Sequence, residues 1–239
     1  MKNGKKRVLL KLSGEALGID GELFDHHKIT RVAAVVKDIV DSGCFQLGIV
    51  IGAGNIWRGR TGVTSDMGKA NADQMGMLGT AINCIYMRDA LQRIGVKAYV
   101  QSAVDMPCFM ECYNAQGASE HMEKGHVTLF ACGTGNPLFS TDTAVALRAI
   151  ELDADVILMA KNIDGVYDKD PKKFSDAVLI PDITYAEAKA RDIQVMDMAA
   201  FCMCHDNHFP MIRVFQLGEN PEDILKVLNG DTMGSVVHP

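Results

Sequence analysis

Two glycine-containing loops combine the residue types that bind phosphate in proteins. The first, Lys11 to Gly14, places an ammonium group beside a Ser-Gly turn, where glycine lets backbone amides approach an anion. The second begins at Gly52 and carries Arg58, whose guanidinium can make charge-assisted hydrogen bonds. Trp57 stands where a dinucleotide fingerprint needs its third glycine, which argues against a Rossmann NAD site. Taken alone, the first loop could equally be a surface lysine before an ordinary turn.

Two later loops carry denser polar chemistry. Gly133 to Thr143 is rich in glycine and hydroxyl residues and precedes a helical pattern, so it suits an anion or the edge of a nucleobase. An ordinary capped turn would not need so many such residues. The segment Lys161 to Pro171 begins with a lysine and joins it to an aromatic residue, three carboxylates and a second lysine. Because lone acidic residues on loops are mostly solvated, this segment indicates a functional site only in combination with the other three loops.

The elements that must position these loops are apolar runs typical of strands, which alternate with helical stretches. The predicted strands are Arg7 to Leu12, Phe45 to Ile51, Lys97 to Ser102, Val127 to Cys132, Val156 to Met159 and Ile212 to Gln216. The predicted helices run from Ile29 to Val40, from about Ala72 to Ile94, from a capping box at Thr184 and Glu187, and from Asn220 and Pro221 through Leu228.

This alternation predicts right-handed crossovers and a three-layer α/β/α fold with a mostly parallel central sheet. In such sheets ligands lie beyond the carboxyl ends of the strands, which is where the four loops fall. Neither a linker nor a repeat divides the chain, so we expect one domain over residues 1–239, with lobes of roughly 1–133 and 134–239.

Composition excludes several classes of protein. Hydrophobic residues make up 48% of the chain, which excludes disorder as the main state. The net charge is −6, and Lys2 to Arg7 is the main basic cluster, so we expect no nucleic-acid partner. No apolar run reaches the about 18 residues of a membrane span, and the first apolar run is too short for a signal peptide. We therefore expect a cytoplasmic protein without a membrane partner.

The seven cysteines are spread through apolar surroundings and are interpreted as reduced core thiols. The run Cys202-x-Cys204-His205-x-x-His208 could be a metal site. Its ligands would have to come from one short apolar segment, without a second ligand pair at zinc-finger spacing, so a buried helix end is the favoured interpretation.

Motifs over nearly the whole chain, in order, resemble the bacterial uridylate (UMP) kinase family. That family has the amino acid kinase fold. The resemblance implies transfer of the ATP γ-phosphoryl group to UMP, giving UDP and ADP, in pyrimidine nucleotide biosynthesis. The motifs are Lys11 to Leu17, Gly52 to Gly59, Asp73 to Leu78, Met87 to Leu91, Gly133 to Asp142, Asp164 to Pro171 and Val195 to Phe201.

The resemblance also implies which residues bind each substrate. Magnesium would enter with ATP, without direct protein ligands. Ala53 stands where many members have glycine, which adds a methyl group near the UMP phosphate. The implied ATP-binding residues are Lys11, Leu12, Ser13, Gly14, Gly54, Arg58, Lys161, Asn162, Tyr167 and Asp170. The implied UMP-binding residues are Ala53, Asp73, Thr134, Gly135, Asn136, Pro137, Leu138, Phe139, Ser140 and Thr141.

The acceptor in such a reaction is a phosphate monoester with a second pKa of about 6, so no strong general base is needed. Catalysis would rest on positioning and on neutralisation of charge by Mg²⁺, Lys11, Arg58 and loop amides. Asp142 is the candidate that organises the site, by orienting Lys11 or a magnesium-bound water. Lys161 could assist at the phosphates.

The resemblance implies a homohexamer and inhibition by UTP. The apolar face of the long helix, with Met75, Leu78 and Ile82, exceeds what one crossover helix must bury. The segment Gly18 to Asp25 is shorter than in many members, so we expect weak or absent GTP activation.

Two alternatives stay open. A sister enzyme that phosphorylates a carboxylate or carbamate would not need Asp73 or the loop Thr134 to Thr141 in this form. A non-catalytic nucleotide-binding or oxyanion-storage protein should have lost Lys11 or Arg58, and both are present.

Overall fold

A nine-stranded sheet and a two-stranded hairpin contain the strands of the described residues, which are 4–19, 22–57, 67–218 and 220–239 of this computed structural model. The strands are β1 (Lys6–Leu12), β2 (Phe45–Ile51), β3 (Ala98–Ser102), β4 (Glu111–Cys112), β5 (Val127–Ala131), β6 (Val156–Lys161), β7 (Val166–Tyr167), β8 (Leu179–Ile180), β9 (Asp182–Thr184), β10 (Ile212–Gln216) and β11 (Ser235–His238). The sheet order is β4-β3-β5-β2-β1-β6-β10-β11-β9. Its strands pair in parallel except β10 with β11, and β7 pairs antiparallel with β8.

Helices cover both faces of the sheet. They are α1 (His26–Asp41), α2 (Lys69–Arg93), α3 (Ala115–Glu123), α4 (Thr141–Glu151), α5 (Tyr185–Ala190), α6 (Met198–Asp206) and α7 (Asp223–Leu228), with a short 3₁₀ helix at Gly14–Leu17. Along β1, Val8 and Leu10 face a core shared with α1, α2 and α7, whereas Leu9 faces a second core shared with α3, α4 and α6. The sequence therefore buries both faces of β1, and the predicted three-layer α/β/α fold is confirmed.

Side-chain caps fix the starts of the helices that border the sheet edge. Asp25 accepts hydrogen bonds from the first turn of α1, and Ser140 does the same for α4. The predicted capping box of Thr184 and Glu187 is present at α5. Gly43, which follows the end of α1, has a φ of +67°, which favours glycine.

The structure corrects several details of the sequence-based expectations. Asn220 does not cap the last helix, because residues around Pro221 form a turn and α7 begins at Asp223. Strand β5 ends one residue early, since Cys132 adopts a left-handed φ of +61°. The strands of two to four residues, β4, β7, β8, β9 and β11, were not predicted, because such short strands show too little periodicity. Helix α3 was not predicted either.

The cysteine and histidine run lies at the end of α6. Burial raises the pKa of the Cys204 thiol to about 12, and Asp197 adds to the shift. His205 contacts Asp206 at 2.8 Å. Within the described part of the chain, no group of three or more histidine, cysteine or acidic side chains could hold a metal ion. Across the same ranges, none of the helices is both long and apolar enough to cross a membrane.

His126 couples the fold to pH. His126 follows the turn after α3, and the centroid of its ring lies 5.2 Å from that of Tyr99 on β3. Burial lowers the pKa of His126 below its ordinary value, and Lys97, His121 and Lys124 lower it further. The unfolded chain therefore binds the extra proton first as the pH falls. The stability contributed by neutral His126 is present above about pH 6.5 and is lost as the pH falls through the lowered pKa of the folded state.

We expect His126→Gln to reduce the pH dependence of stability, because glutamine does not titrate. Thermal unfolding of both proteins, followed by circular dichroism from about pH 7.5 to about pH 5, measures this. The melting temperature of the wild type should fall more steeply than that of the variant. Parallel curves would contradict the assignment.

Candidate active site

The carboxyl ends of neighbouring parallel strands bring the predicted loops to one edge of the sheet. Leu12 at the end of β1 pairs in register with Ile51 of β2, and Lys11 pairs with Met159 of β6. β5 pairs in parallel with β2, so the loop that follows β5 also lies at this edge of the sheet. Residues from distant parts of the sequence therefore meet at this edge.

One carboxylate lies between two ammonium groups at the centre of this edge. Lys11 Nζ lies 3.2 Å from Asp142 Oδ1, and Lys161 Nζ lies 3.4 Å from Asp142 Oδ2. Lys161 Nζ also donates to the backbone oxygen of Val195 at 2.7 Å. Each of the three side chains is largely withdrawn from solvent. The structure thus brings together three residues that the sequence singled out separately.

The charges of this cluster shift the pKa values of its members. Burial alone would raise the pKa of Asp142, but Lys11 and Lys161 together bring it below its ordinary value. Burial lowers the pKa of Lys161 below its ordinary value. The charge of Asp142 raises this pKa and the charge of Lys11 lowers it further, and the net shift is downward. Asp142 is therefore ionised at neutral pH and acts as the shared counterion of two lysines that face a potential anion site.

Asp197 supports this cluster, and the sequence argument gave it no role. Its carboxylate accepts hydrogen bonds from Ser140 Oγ and, at 2.9 Å, from Thr143 Oγ1. It also accepts from the backbone N–H of Ala200 at 2.9 Å, as the cap of α6. Asp197 thereby fixes the start of α4, which carries Asp142. The sequence carried one signal for Asp197, the cap pattern before α6. It carried no signal for the contact of Asp197 with α4.

The two glycine loops are in close contact. A Cβ added to Gly14 would lie 2.5 Å from Asn55 Oδ1 and 2.5 Å from the backbone oxygen of Gly52. A Cβ on Gly54 would meet only the side chain of Glu15, at an ordinary 3.6 Å. Gly14 is therefore required by sterics, whereas Gly54 is not. Ser13 Oγ accepts a hydrogen bond from Glu15 N at 3.4 Å. Arg58 lies outside the described residues.

Seven of the residues predicted to bind UMP line one cavity of about 320 Å³. Asp73 from α2 forms one wall, and its Oδ2 accepts a hydrogen bond from Leu138 N at 2.9 Å. Gly135, Pro137 and Leu138 belong to the same loop but do not line the cavity. The residues that do are Ala53, Asp73, Thr134, Asn136, Phe139, Ser140 and Thr141.

Five of the ten residues predicted to bind ATP line two further cavities. Lys161, Tyr167 and Asp170 line one of about 280 Å³ beside the hairpin β7–β8. Ser13 and Asn162 line another of about 440 Å³, on the side of α1. The side chain of Leu12 is fully buried in the core, so only its backbone can contribute to a nucleotide site.

Thr80 is a further polar residue that sequence reasoning missed. It lies on the buried face of α2, and its Oγ1 accepts a hydrogen bond from Cys132 N at 2.8 Å. Cys132 and Gly133 both have φ values near +60°, so this bond holds the strained entry of the loop that lines the Asp73 cavity. In the sequence, Thr80 is recognisable only as a hydroxyl residue within a helical pattern.

A comparison with protein-family models matches residues 6–215 to the amino acid kinase family. The chain belongs to this family. The matched span runs from β1 through β10, so it contains both lysines, Asp142 and every loop at the site edge. The amino acid kinase family predicted from the motifs is thus confirmed.

Three solved structures resemble the chain over almost its whole length. The UMP kinase from Bacillus anthracis has a TM-score of 0.91 and 33% identity, covering 98% of this chain and 96% of its own. The UMP kinase from Ureaplasma parvum has a TM-score of 0.90 and 33% identity, covering 98% and 99%. The uridylate kinase from Archaeoglobus fulgidus, at 24% identity and a TM-score of 0.72, covers 96% and 99% and shows the shared fold alone.

The glycine contacts generate a matched pair of variants. We expect Gly14→Ala to destabilise the protein by about 1–3 kcal/mol, because the added methyl group overlaps two oxygen atoms. Gly54→Ala should change stability much less, since its methyl group makes ordinary contacts. Urea unfolding of the two variants and the wild type measures this. Equal losses would show that the loop spacing at Gly14 is not a constraint.

Proposed function

We propose that this amino acid kinase is a UMP kinase, which transfers the γ-phosphoryl group of ATP to UMP and gives ADP and UDP. The observation that carries the proposal is the Lys11–Asp142–Lys161 cluster beside the cavity that Asp73 and the Thr134 loop line. The two similar structures at 33% identity are both UMP kinases, which supports the same acceptor. The reaction would serve pyrimidine nucleotide synthesis.

The cluster suits phosphoryl transfer between two phosphate groups. The acceptor oxygen of UMP is largely anionic at neutral pH, so the site needs to gather negative charge rather than remove a proton. Lys11 and Lys161 provide two positive charges at one point, and Asp142 fixes their directions. Both oxygens of Asp142 face the lysines, which favours the role of orienting Lys11 over that of orienting a magnesium-bound water.

The Asp73 cavity suits a pyrimidine nucleoside monophosphate. A carboxylate would repel phosphate, so we assign Asp73 to the ribose hydroxyls, from which it can accept hydrogen bonds. Trp57 Nε1 donates to the backbone oxygen of Ala72 at 2.8 Å, which fixes a flat wall of the cavity. The Thr134 to Thr141 loop offers amides, hydroxyls and an exposed Phe139 ring around the remaining edge.

We assign the hairpin cavity of Lys161, Tyr167 and Asp170 to the nucleoside part of ATP. The glycine loops at Gly14 and Gly54 would hold its phosphates through backbone amides. Arg58 is assigned to the same phosphates from the sequence alone. Magnesium bound with ATP would neutralise phosphate charge. The described site offers it a single central carboxylate that is already paired with lysines, which fits a metal held mainly by the nucleotide.

A coupled assay of ADP release tests the proposal against its rivals. The acceptors are UMP, CMP, dUMP, aspartate and carbamate, each with ATP and magnesium. Turnover with UMP well above the others is expected. Turnover only with aspartate or carbamate would establish the sister carboxylate or carbamate kinase, and ATP binding without turnover on any acceptor would indicate a non-catalytic nucleotide-binding protein.

Lys11→Ala and Asp142→Asn should lower turnover with UMP without unfolding the protein. Lys11→Ala removes a group that stabilises the charge of the transition state, a loss of about 10²–10³ in rate. Asp142→Asn removes the counterion that orients Lys11 and Lys161. Arg58→Ala is also expected to lower turnover. Lys37→Ala is the matched control, because Lys37 pairs with Asp41 on the exposed side of α1. Wild-type turnover in a variant would refute the role given to that residue.

Asp73→Asn should raise the Michaelis constant for UMP more than that for ATP. The amide offers one acceptor oxygen where the carboxylate offers two, and its N–H₂ group repels a hydroxyl hydrogen. Initial rates over both substrate concentrations separate the two constants. An equal rise for ATP would contradict the placement of UMP beside Asp73.

We propose a homohexamer in solution. On α2, the side chains of Met75, Leu78 and Ile82 are 41%, 53% and 48% exposed in the single chain and follow helical spacing. Light scattering should therefore give a mass of about six chains at micromolar concentration, and Leu78→Asp should lower it. Val178→Asp on the hairpin, also at an exposed apolar site, is the control. A wild-type mass of one chain would defeat the proposal.

We also propose that UTP competes with UMP, because it shares the uracil and ribose and its extra phosphates reach toward Lys11. Weak or absent GTP activation remains expected from the shortened Gly18 to Asp25 segment, of which residues 20 and 21 lie outside the described part. The cytoplasmic location and the two lobes of one domain are likewise retained as proposals.

A further inference from the structure

A buried asparagine in the middle of α2 has no part in the chemistry above. Asn83 is 0% exposed. Asparagine is a poor former of helix interiors, and a buried amide destabilises a fold unless its hydrogen bonds are made. The contacts of this amide account for its presence.

Asn83 joins α2 to the loop that follows β2. Its Nδ2 donates to the backbone oxygen of Gly52 at 2.7 Å and to Asn55 Oδ1 at 2.9 Å. Asn55 Nδ2 donates back to Asn83 Oδ1 at 3.1 Å and to the backbone oxygen of Leu23 at 2.8 Å. The two side chains, the Asn55–Asn83 pair, thus exchange hydrogen bonds in both directions, which requires an amide at each position.

The atoms that this pair holds are those that border Gly14. The backbone oxygen of Gly52 and Oδ1 of Asn55 each lie 2.5 Å from where a Cβ of Gly14 would be. Gly52 N in turn donates to the backbone oxygen of Leu12 at 2.9 Å. The Asn55–Asn83 pair therefore sets the distance between the two glycine loops.

We propose that Asn83 is a positioning residue, which acts through Asn55 to hold the Gly52–Asn55 loop against Gly14 in the geometry that the phosphates of ATP require. This rests on the proposed kinase function but concerns the phosphate donor, so it does not depend on UMP as the acceptor. Leucine at position 83 fills a similar volume and donates no hydrogen bond, so it releases the loop without leaving a large void.

Isothermal titration calorimetry with AMP, ADP and ATP tests the proposal. Asn83→Leu and Asn55→Ala should each weaken ADP and ATP by about tenfold, because small displacements of a binding loop are costly, and should leave AMP nearly unchanged. The double variant should lose no more affinity for ADP and ATP than the weaker-binding single variant, because both substitutions remove the same pair of hydrogen bonds. Thr128→Val is the control, because Thr128 is a buried polar residue on β5, away from the site.

Equal weakening of AMP, ADP and ATP would mean that Asn83 supports the fold in general, and unchanged ATP affinity would mean that the pair is dispensable. Either result overturns the proposal, as do additive losses in the double variant. If Asn83→Leu does not fold, Asn55→Ala carries the same phosphate-dependent comparison at a half-buried loop position. A wild type that binds ATP but does not phosphorylate UMP would overturn the proposed function and leave this proposal standing.

Discussion

Two lysine ammonium groups that share one carboxylate set the main constraint on this structure. Like charges so close together are stable only if a counterion lies between them and if the backbone fixes all three side chains. Adjacent parallel strands provide the lysines, since Lys11 lies one residue before the end of β1 and β6 ends at Lys161. The first turn of α4 provides Asp142, where the helix dipole also favours a negative charge. The sheet order is therefore what makes the charged cluster possible.

Helix α2 divides two tasks between its faces. The face toward the sheet carries apolar core residues such as Met87 and Leu91 and also small and polar residues. Of the polar ones, Asp73, Thr80 and Asn83 each bind a different part of the site loops. The other face leaves an apolar stripe exposed. A purely apolar buried face would give a stronger core but could not hold three loops that expose backbone N–H and C=O groups. The polar face costs core stability and fixes the positions of the loops.

Sequence reasoning reached the fold through long, strongly patterned elements. Phe45–Ile51 is a mostly apolar run and Ile212–Gln216 is rich in β-branched and aromatic residues, and the predicted bounds of both agree with the structure. Lys11, Asp142 and Lys161 were found because their loops follow such strands. Asn83, Thr80 and Asp197 were given no role, because each acts through contacts with residues distant in sequence. In the sequence, Asn83 is only a polar residue within a helical pattern. The start of α7 was misplaced because an Asn-Pro pair fits a turn as well as a cap.

The local balance of charge, and not the net charge of the chain, accounts for a carboxylate in a site for anions. The chain carries a net charge of −6, so its long-range field does not attract nucleotides. At physiological salt, however, charges act over only about 8 Å, so the local balance of two lysines and one carboxylate decides the affinity. Asp142 reduces that local charge, and by itself would weaken the binding of a phosphate. A group that weakens ground-state binding is useful to an enzyme when it aligns charges that act most strongly in the transition state. Asp142, with its pKa held low by both lysines, is suited to that role.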